Sequence, residues 1–92
     1  MAVEMRTQLQ GITKEQHAGL LALVSSTIKT FPGFIAHASG PNEGGYYVTE
    51  LWESQEAHER WVREVIAPAM QQAGGGQPPP VHYLPADSVV IR

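Results

Sequence analysis

The 92-residue chain contains no cysteine, which removes disulfides, thiolate metal sites and thiol nucleophiles together. Charge is also scarce, with Asp, Glu, Lys and Arg making up 16% of residues. The six Lys and Arg are scattered and the net charge is −3, so no basic patch offers a footprint for nucleic acid or an anionic membrane. Long apolar runs are missing too. The longest, Leu20 to Val24, falls far short of the ~20 residues that span a bilayer. The opening Met1-Ala2-Val3-Glu4-Met5-Arg6 has no apolar core and an early acid, so no secretory leader is expected and a cytoplasmic location is the default. Neither a Gly-rich phosphate loop nor a Gly-x-Ser-x-Gly nucleophile turn occurs. His17, His37, His58 and His82 lack any short ligand spacing, so no metal is expected.

What is present reads as one small globular domain over residues 1–92, with an ordinary apolar share of 42%. Low charge beside that apolar content implies more burial than one monomer's interior accounts for. Val3, Met5, Thr7 and Leu9 alternate with Glu4, Arg6 and Gln8 in a strand pattern. Gly11 ends it, and Thr13-Lys14-Glu15-Gln16 is a capping-box sequence. The helix that follows carries His17, Leu20, Leu21, Val24 and Ile28 on one stripe, and Phe31-Pro32-Gly33 stops it.

Phe34 to Ser39 reads as a second strand and Gly40 to Gly45 as a hairpin loop. Tyr46 to Glu53 is the strongest strand signal, with Tyr46, Val48, Glu50 and Trp52 on one face and Tyr47, Thr49, Leu51 and Glu53 on the other. Ser54 is a good N-cap for a second helix with Ala57, His58, Trp61, Val62, Val65 and Ala69 inward. Glu56 with Arg60, and Glu59 with Arg63, are spaced for ion pairs on its outer side. Pro68 is expected to kink this helix or to begin a short new one at its first position. Gly74 to Pro80 reads as a linker within the domain, and Val81–Leu84 and Ser88–Ile91 as short extended segments.

The order β-α-β-β-α-β is the ferredoxin-like α+β motif. Right-handed crossovers put both helices on one face of an antiparallel sheet and leave the other face bare. The third strand is apolar on both faces, so a second copy is the economical cover: a homodimer whose two sheets close into an α/β barrel. Residues Pro85 to Arg92, an extended tail after a Pro-rich linker, are expected to cross to that partner.

Two groups of residues are candidates for chemistry. His17 and His58 each sit at the centre of an apolar helix stripe, and both helices pack on one sheet face. Such imidazoles can take a proton near neutral pH or hydrogen-bond a phenol, with His37 as an assisting group. The structural alternative is a satisfied, half-buried His at a helix end. Tyr46, Tyr47, Trp52 and Trp61 are enough aromatic surface to wall a flat ligand. The alternative here is core or interface packing, favoured for Trp61, with Trp52 the better candidate for a pocket wall.

Pro32-Gly33-Phe34, the Gly-rich hairpin and Glu50-Leu51-Trp52-Glu53-Ser54-Gln55-Glu56-Ala57 together resemble the antibiotic biosynthesis monooxygenase family. The resemblance runs from the first strand to the region of Pro68. It implies a dimer and, as in some members, oxidation of anthrones or quinols by molecular oxygen without metal or flavin. By the same resemblance Trp52 matches a pocket tryptophan, Val48 stands where those oxygenases have a pocket asparagine, and His58 stands where they have a tyrosine. The haem-degrading branch is matched at Trp61 only: its haem-ligating histidine falls near Gln71, and its first-strand asparagine has no counterpart among Met5, Arg6 and Thr7. The chain is thus expected to be either a cofactor-free oxygenase of a small aromatic substrate or a non-catalytic dimeric domain that binds a small apolar ligand or merely forms an assembly.

Overall fold

The computed structural model describes residues 1–72 and 78–92. Strands β1 (Ala2–Gln10), β2 (Phe34–Asn42), β3 (Gly45–Trp52) and β4 (Val81–Ala86) form one antiparallel sheet in the order β2-β3-β1-β4. Helix α1 (Lys14–Ile28) links β1 to β2, while α2 (Gln55–Trp61), a π-helical turn (Val62–Ile66) and α3 (Ala67–Gln72) follow β3. This is the expected ferredoxin-like α+β arrangement. Among the described residues, no helix is long and apolar enough to cross a membrane.

The register explains which side chains share the helix-covered face. Val3 pairs with Trp52, Met5 with Glu50, Thr7 with Val48 and Leu9 with Tyr46. Tyr83 lies beside Met5 and Val81 beside Thr7 on the opposite edge. Tyr83, Met5, Glu50 and His37 therefore make one row across all four strands. His37 joins that row only because the register shifts between Phe34 and Ala36. Strict alternation would put Phe34 and His37 on opposite faces; the extra residue, Ile35, turns both toward the core.

Local signals fix the helices. Thr13 and Gln16 make both halves of the capping box, at 3.1 and 2.9 Å, and Ser54 Oγ accepts from the Ala57 N–H at 3.1 Å. Thr13→Ala should cost about 1 kcal/mol of stability, read as a lower urea midpoint with an unchanged slope. Pro68 has no N–H to offer the carbonyl of Glu64. The backbone widens ahead of it, with the Ala67 N–H reaching back to the Val62 carbonyl, so Pro68 becomes the second residue of α3 rather than its first.

Some expectations need correction. The β2–β3 connection is a tight turn at Glu43-Gly44 instead of a six-residue loop, because pairing continues to Asn42 opposite Gly45. Gly45 (φ 140°) cannot be replaced without strain, since a Cβ would run into the Leu9 carbonyl. Arg60 pairs with Glu64 at 2.6 Å rather than with Glu56, and its guanidinium lies 5.5 Å from the Phe31 ring centre. Arg63 likewise makes no pair with Glu59 among the described residues, since Glu59 instead accepts from Gln55 at 3.2 Å. Ser88–Ile91 joins no strand, and Val90 and Ile91 are exposed. The linker expected from Gly74 lies, as far as Gln77, outside the described residues.

Candidate functional site

Helix α1 stands off the sheet, and a cavity of about 310 Å³ fills the gap. Its α1 wall is the expected stripe, His17, Leu20, Leu21, Val24 and Ile28. The sheet contributes Met5, Thr7, Val48, Glu50, His37 and Tyr83, and the second helical segment adds His58, Trp61 and Val62. Size and apolar lining suit a small organic ligand. Both helix histidines thus meet one space, as the stripe geometry suggested, and His37 joins them.

Glu50 anchors the polar part of this wall. It is 6% exposed, on a strand face otherwise made of Tyr46, Val48 and Trp52. Its Oε1 accepts from the Trp52 indole N–H at 3.0 Å, and its Oε2 lies 2.7 Å from His37 Nδ1. His37 Nε2 is 3.3 Å from Ser39 Oγ, which is 2.9 Å from His17 Nε2, so a chain of polar contacts runs from Glu50 to the first turn of α1. His17 also stacks on Tyr46, with ring centres 4.2 Å apart. Among the described residues no buried side-chain nitrogen or oxygen lacks a partner.

His58 is 2% exposed and makes the second polar feature. Its Nδ1 lies 2.7 Å from the Tyr83 hydroxyl, and its Nε2 faces Glu50 Oε1 at 3.8 Å. The tautomer that suits both carries its proton on Nε2, toward Glu50, and accepts from the Tyr83 O–H at Nδ1. Burial holds the imidazole below its ordinary pKa, with Glu50 and Glu59 pulling the other way. Burial, reinforced by Glu59 and Glu50, pushes the Tyr83 phenol up to about 12. At neutral pH the pair is a neutral imidazole hydrogen-bonded to a neutral phenol.

The aromatic candidates divide. Trp61, 2% exposed, borders the cavity. Trp52 is wholly enclosed behind it, edge-on to Phe31, Phe34 and His58, and does not border it. Its indole reaches the site indirectly, by fixing Glu50. Val48 lies in the wall, whereas Tyr47 is 42% exposed on the other sheet face. Glu50, Ser39 and Tyr83 were not foreseen as site residues. Only Glu50 carried a signal, as the single charge on the apolar face of the strongest strand.

The sequence profile of the family described as antibiotic biosynthesis monooxygenase matches residues 8–73. The chain belongs to the antibiotic biosynthesis monooxygenase family. No curated protein matches it by sequence. Its fold is shared with a point mutant of SnoaB, a cofactor-independent oxygenase from Streptomyces nogalater, at 12% identity over 99% of this chain and 97% of that one (TM-score 0.68). A heme-degrading protein from Mycobacterium tuberculosis is similar at 18% identity over 98% and 99% of the two chains (TM-score 0.64). A protein of unknown function from Nitrosomonas europaea aligns at 14% identity over 99% and 92% (TM-score 0.69). At such identities the likeness concerns the fold. The matched stretch of this monooxygenase-family chain holds His17, His37, Glu50, Trp52, His58 and Trp61, while Tyr83 lies beyond it.

Proposed function

We propose that this chain is a cofactor-independent monooxygenase of a small aromatic substrate, an anthrone or quinol, bound between the sheet and α1. The observation that carries this reading is the 2.7 Å contact of His58 with Tyr83 in the wall of an apolar cavity. A substrate proton passes to the Tyr83 oxygen as the phenolic proton moves to His58 Nδ1, and the imidazolium formed faces Glu50. A phenol whose pKa is raised to about 12 conveys the proton and does not keep the charge. The substrate anion, in surroundings with little water, is the reductant of oxygen. For an anthrone the methylene carbon gives four electrons. One oxygen atom of O₂ becomes the new carbonyl, and the other leaves as water with the two methylene hydrogens. No external reductant is required.

Haem degradation has less support. Among the cavity groups able to ligate a haem iron, both nitrogens of His37 face Ser39 or Glu50, His58 Nδ1 and the Tyr83 hydroxyl hold each other, and His17 Nε2 faces Ser39. The haem-ligating histidine that the family resemblance calls for falls near Gln71.

The same reading includes a homodimer. A compact 10.0 kDa monomer exposes about 5,200 Å², whereas this chain exposes 6183 Å². The excess is close to the roughly 800 Å² that each partner of a stable interface covers. Tyr47, Leu51 and Leu84 lie on the sheet face without helices, where a second copy would bury them. Sedimentation should give twice the chain mass, and Leu51→Arg should shift it to the monomer. A wild-type monomer at micromolar concentration would contradict this.

Oxygen consumption by chelator-treated, flavin-free protein with anthrones and naphthoquinols tests the activity. Saturable uptake above the uncatalysed rate is expected. Its absence over the whole substrate series would leave a binding domain in place of an enzyme.

A further inference from the structure

Building on that reading, we infer that Glu50 selects uncharged ligands and closes the cavity to carboxylate-bearing ones. The inference rests on what faces the ligand. Both Glu50 oxygens are already engaged by the protein, Oε1 by the Trp52 indole and Oε2 by His37. The residue is 6% exposed and still borders the cavity.

Among the described residues no Lys or Arg lies inside the cavity to balance a second negative charge. His58 and Tyr83 are neutral at neutral pH, His37 is already turned to Glu50 Oε2 and Ser39, and the rest of the wall near Glu50 is Met5, Val48 and Trp61. Arg63 is the one Lys or Arg among the lining residues, and it sits exposed at the rim beside the equally exposed Glu59. An uncharged ligand meets polar groups that already have protein partners, with Glu50, His37, His58 and Tyr83 engaged with one another or with Trp52 and Ser39. A carboxylate entering the same space would lose its water without gaining a Lys or Arg partner, and its nearest charged neighbour would be Glu50. Two like charges ~6 Å apart at an effective dielectric near 20 weaken binding by about a hundredfold.

The test compares three ligands that share one ring system: 1-naphthol, 1-hydroxy-2-naphthoate and the methyl ester of that acid. Titration calorimetry at pH 8 stays above the ordinary imidazole range. With wild-type protein the acid should bind at least ~30-fold more weakly than 1-naphthol, and the ester should return to within about fivefold. Glu50→Gln keeps an acceptor for the Trp52 indole and should narrow the gap between acid and naphthol at least ~10-fold. An unchanged gap in folded Glu50→Gln overturns the assignment to Glu50; should that variant not fold, the acid–ester comparison on the wild-type protein still decides whether charge is what the cavity excludes. Equal binding of acid and naphthol overturns this inference and leaves the oxygenase reading standing. A weak acid whose ester is just as weak also overturns it, since bulk and not charge would then be excluded. Failure of all three to bind overturns both.

Discussion

Oxygen uptake should fall by about 10²- to 10⁴-fold in His58→Gln, the range that a positioned proton acceptor contributes. Tyr83→Phe should fall comparably, because the substrate proton reaches His58 through the phenol. The loss should appear in kcat with KM changed little, since neither substitution alters the apolar wall that holds the ring. Variants with full uptake would remove both residues from the proton path. The pH profile adds a second check. Burial depresses the His58 pKa, so the base stays neutral through pH 6.5, and the acid limb of kcat/KM should lie below that value. The linkage sign is the same for stability. The unfolded chain binds this proton more readily, so stability rises with pH and the His58 contribution is complete above the unfolded value of about 6.5. It is lost as the pH falls below that value.

Trp52 should give the largest stability loss of any single side chain. It is 0% exposed and touches Phe31, Phe34, His58 and Trp61. Truncation to Ala should cost about 3–5 kcal/mol, a large part of the ~5–15 kcal/mol that holds a domain together. Trp52→Phe keeps most of the packing but removes the donor to Glu50 Oε1, and should cost about 1–3 kcal/mol. Urea unfolding followed by circular dichroism reads both. Equal losses for Ala and Phe would mean that the indole N–H carries the effect and the packing little. A loss below ~1 kcal/mol for Ala would contradict the burial itself.

Much of this was legible in the sequence. The alternation of Val3 to Leu9 and of Tyr46 to Trp52 sorted these residues into their two faces, but with apolar groups on both sides of the third strand it did not say which one the helices cover. The stripe from His17 to Ile28 and the capping box at Thr13 set α1. What escaped depends on contacts that no periodicity encodes. The register shift at Ile35 brings His37 to the core side, and a two-residue period hides it. Tyr83 meets His58 only through the pairing of β4 with β1, far along the chain. The roles of the tryptophans followed from depth: Trp52 lies behind Glu50, whereas Trp61 borders the open space. Hydrophobicity is the same for both, so nothing local separates them. The Arg60 pairing turned on Glu64 being one turn away and on the Phe31 ring beside it.

In the proposed reaction a bound aromatic substrate reduces molecular oxygen with its own electrons. An anthrone turned over under ¹⁸O₂ by metal-free, flavin-free protein tests this most directly. One labelled oxygen atom in the quinone product, one O₂ consumed per product and no hydrogen peroxide are expected. Unlabelled quinone with stoichiometric peroxide, or turnover that requires an added flavin or metal, would contradict it.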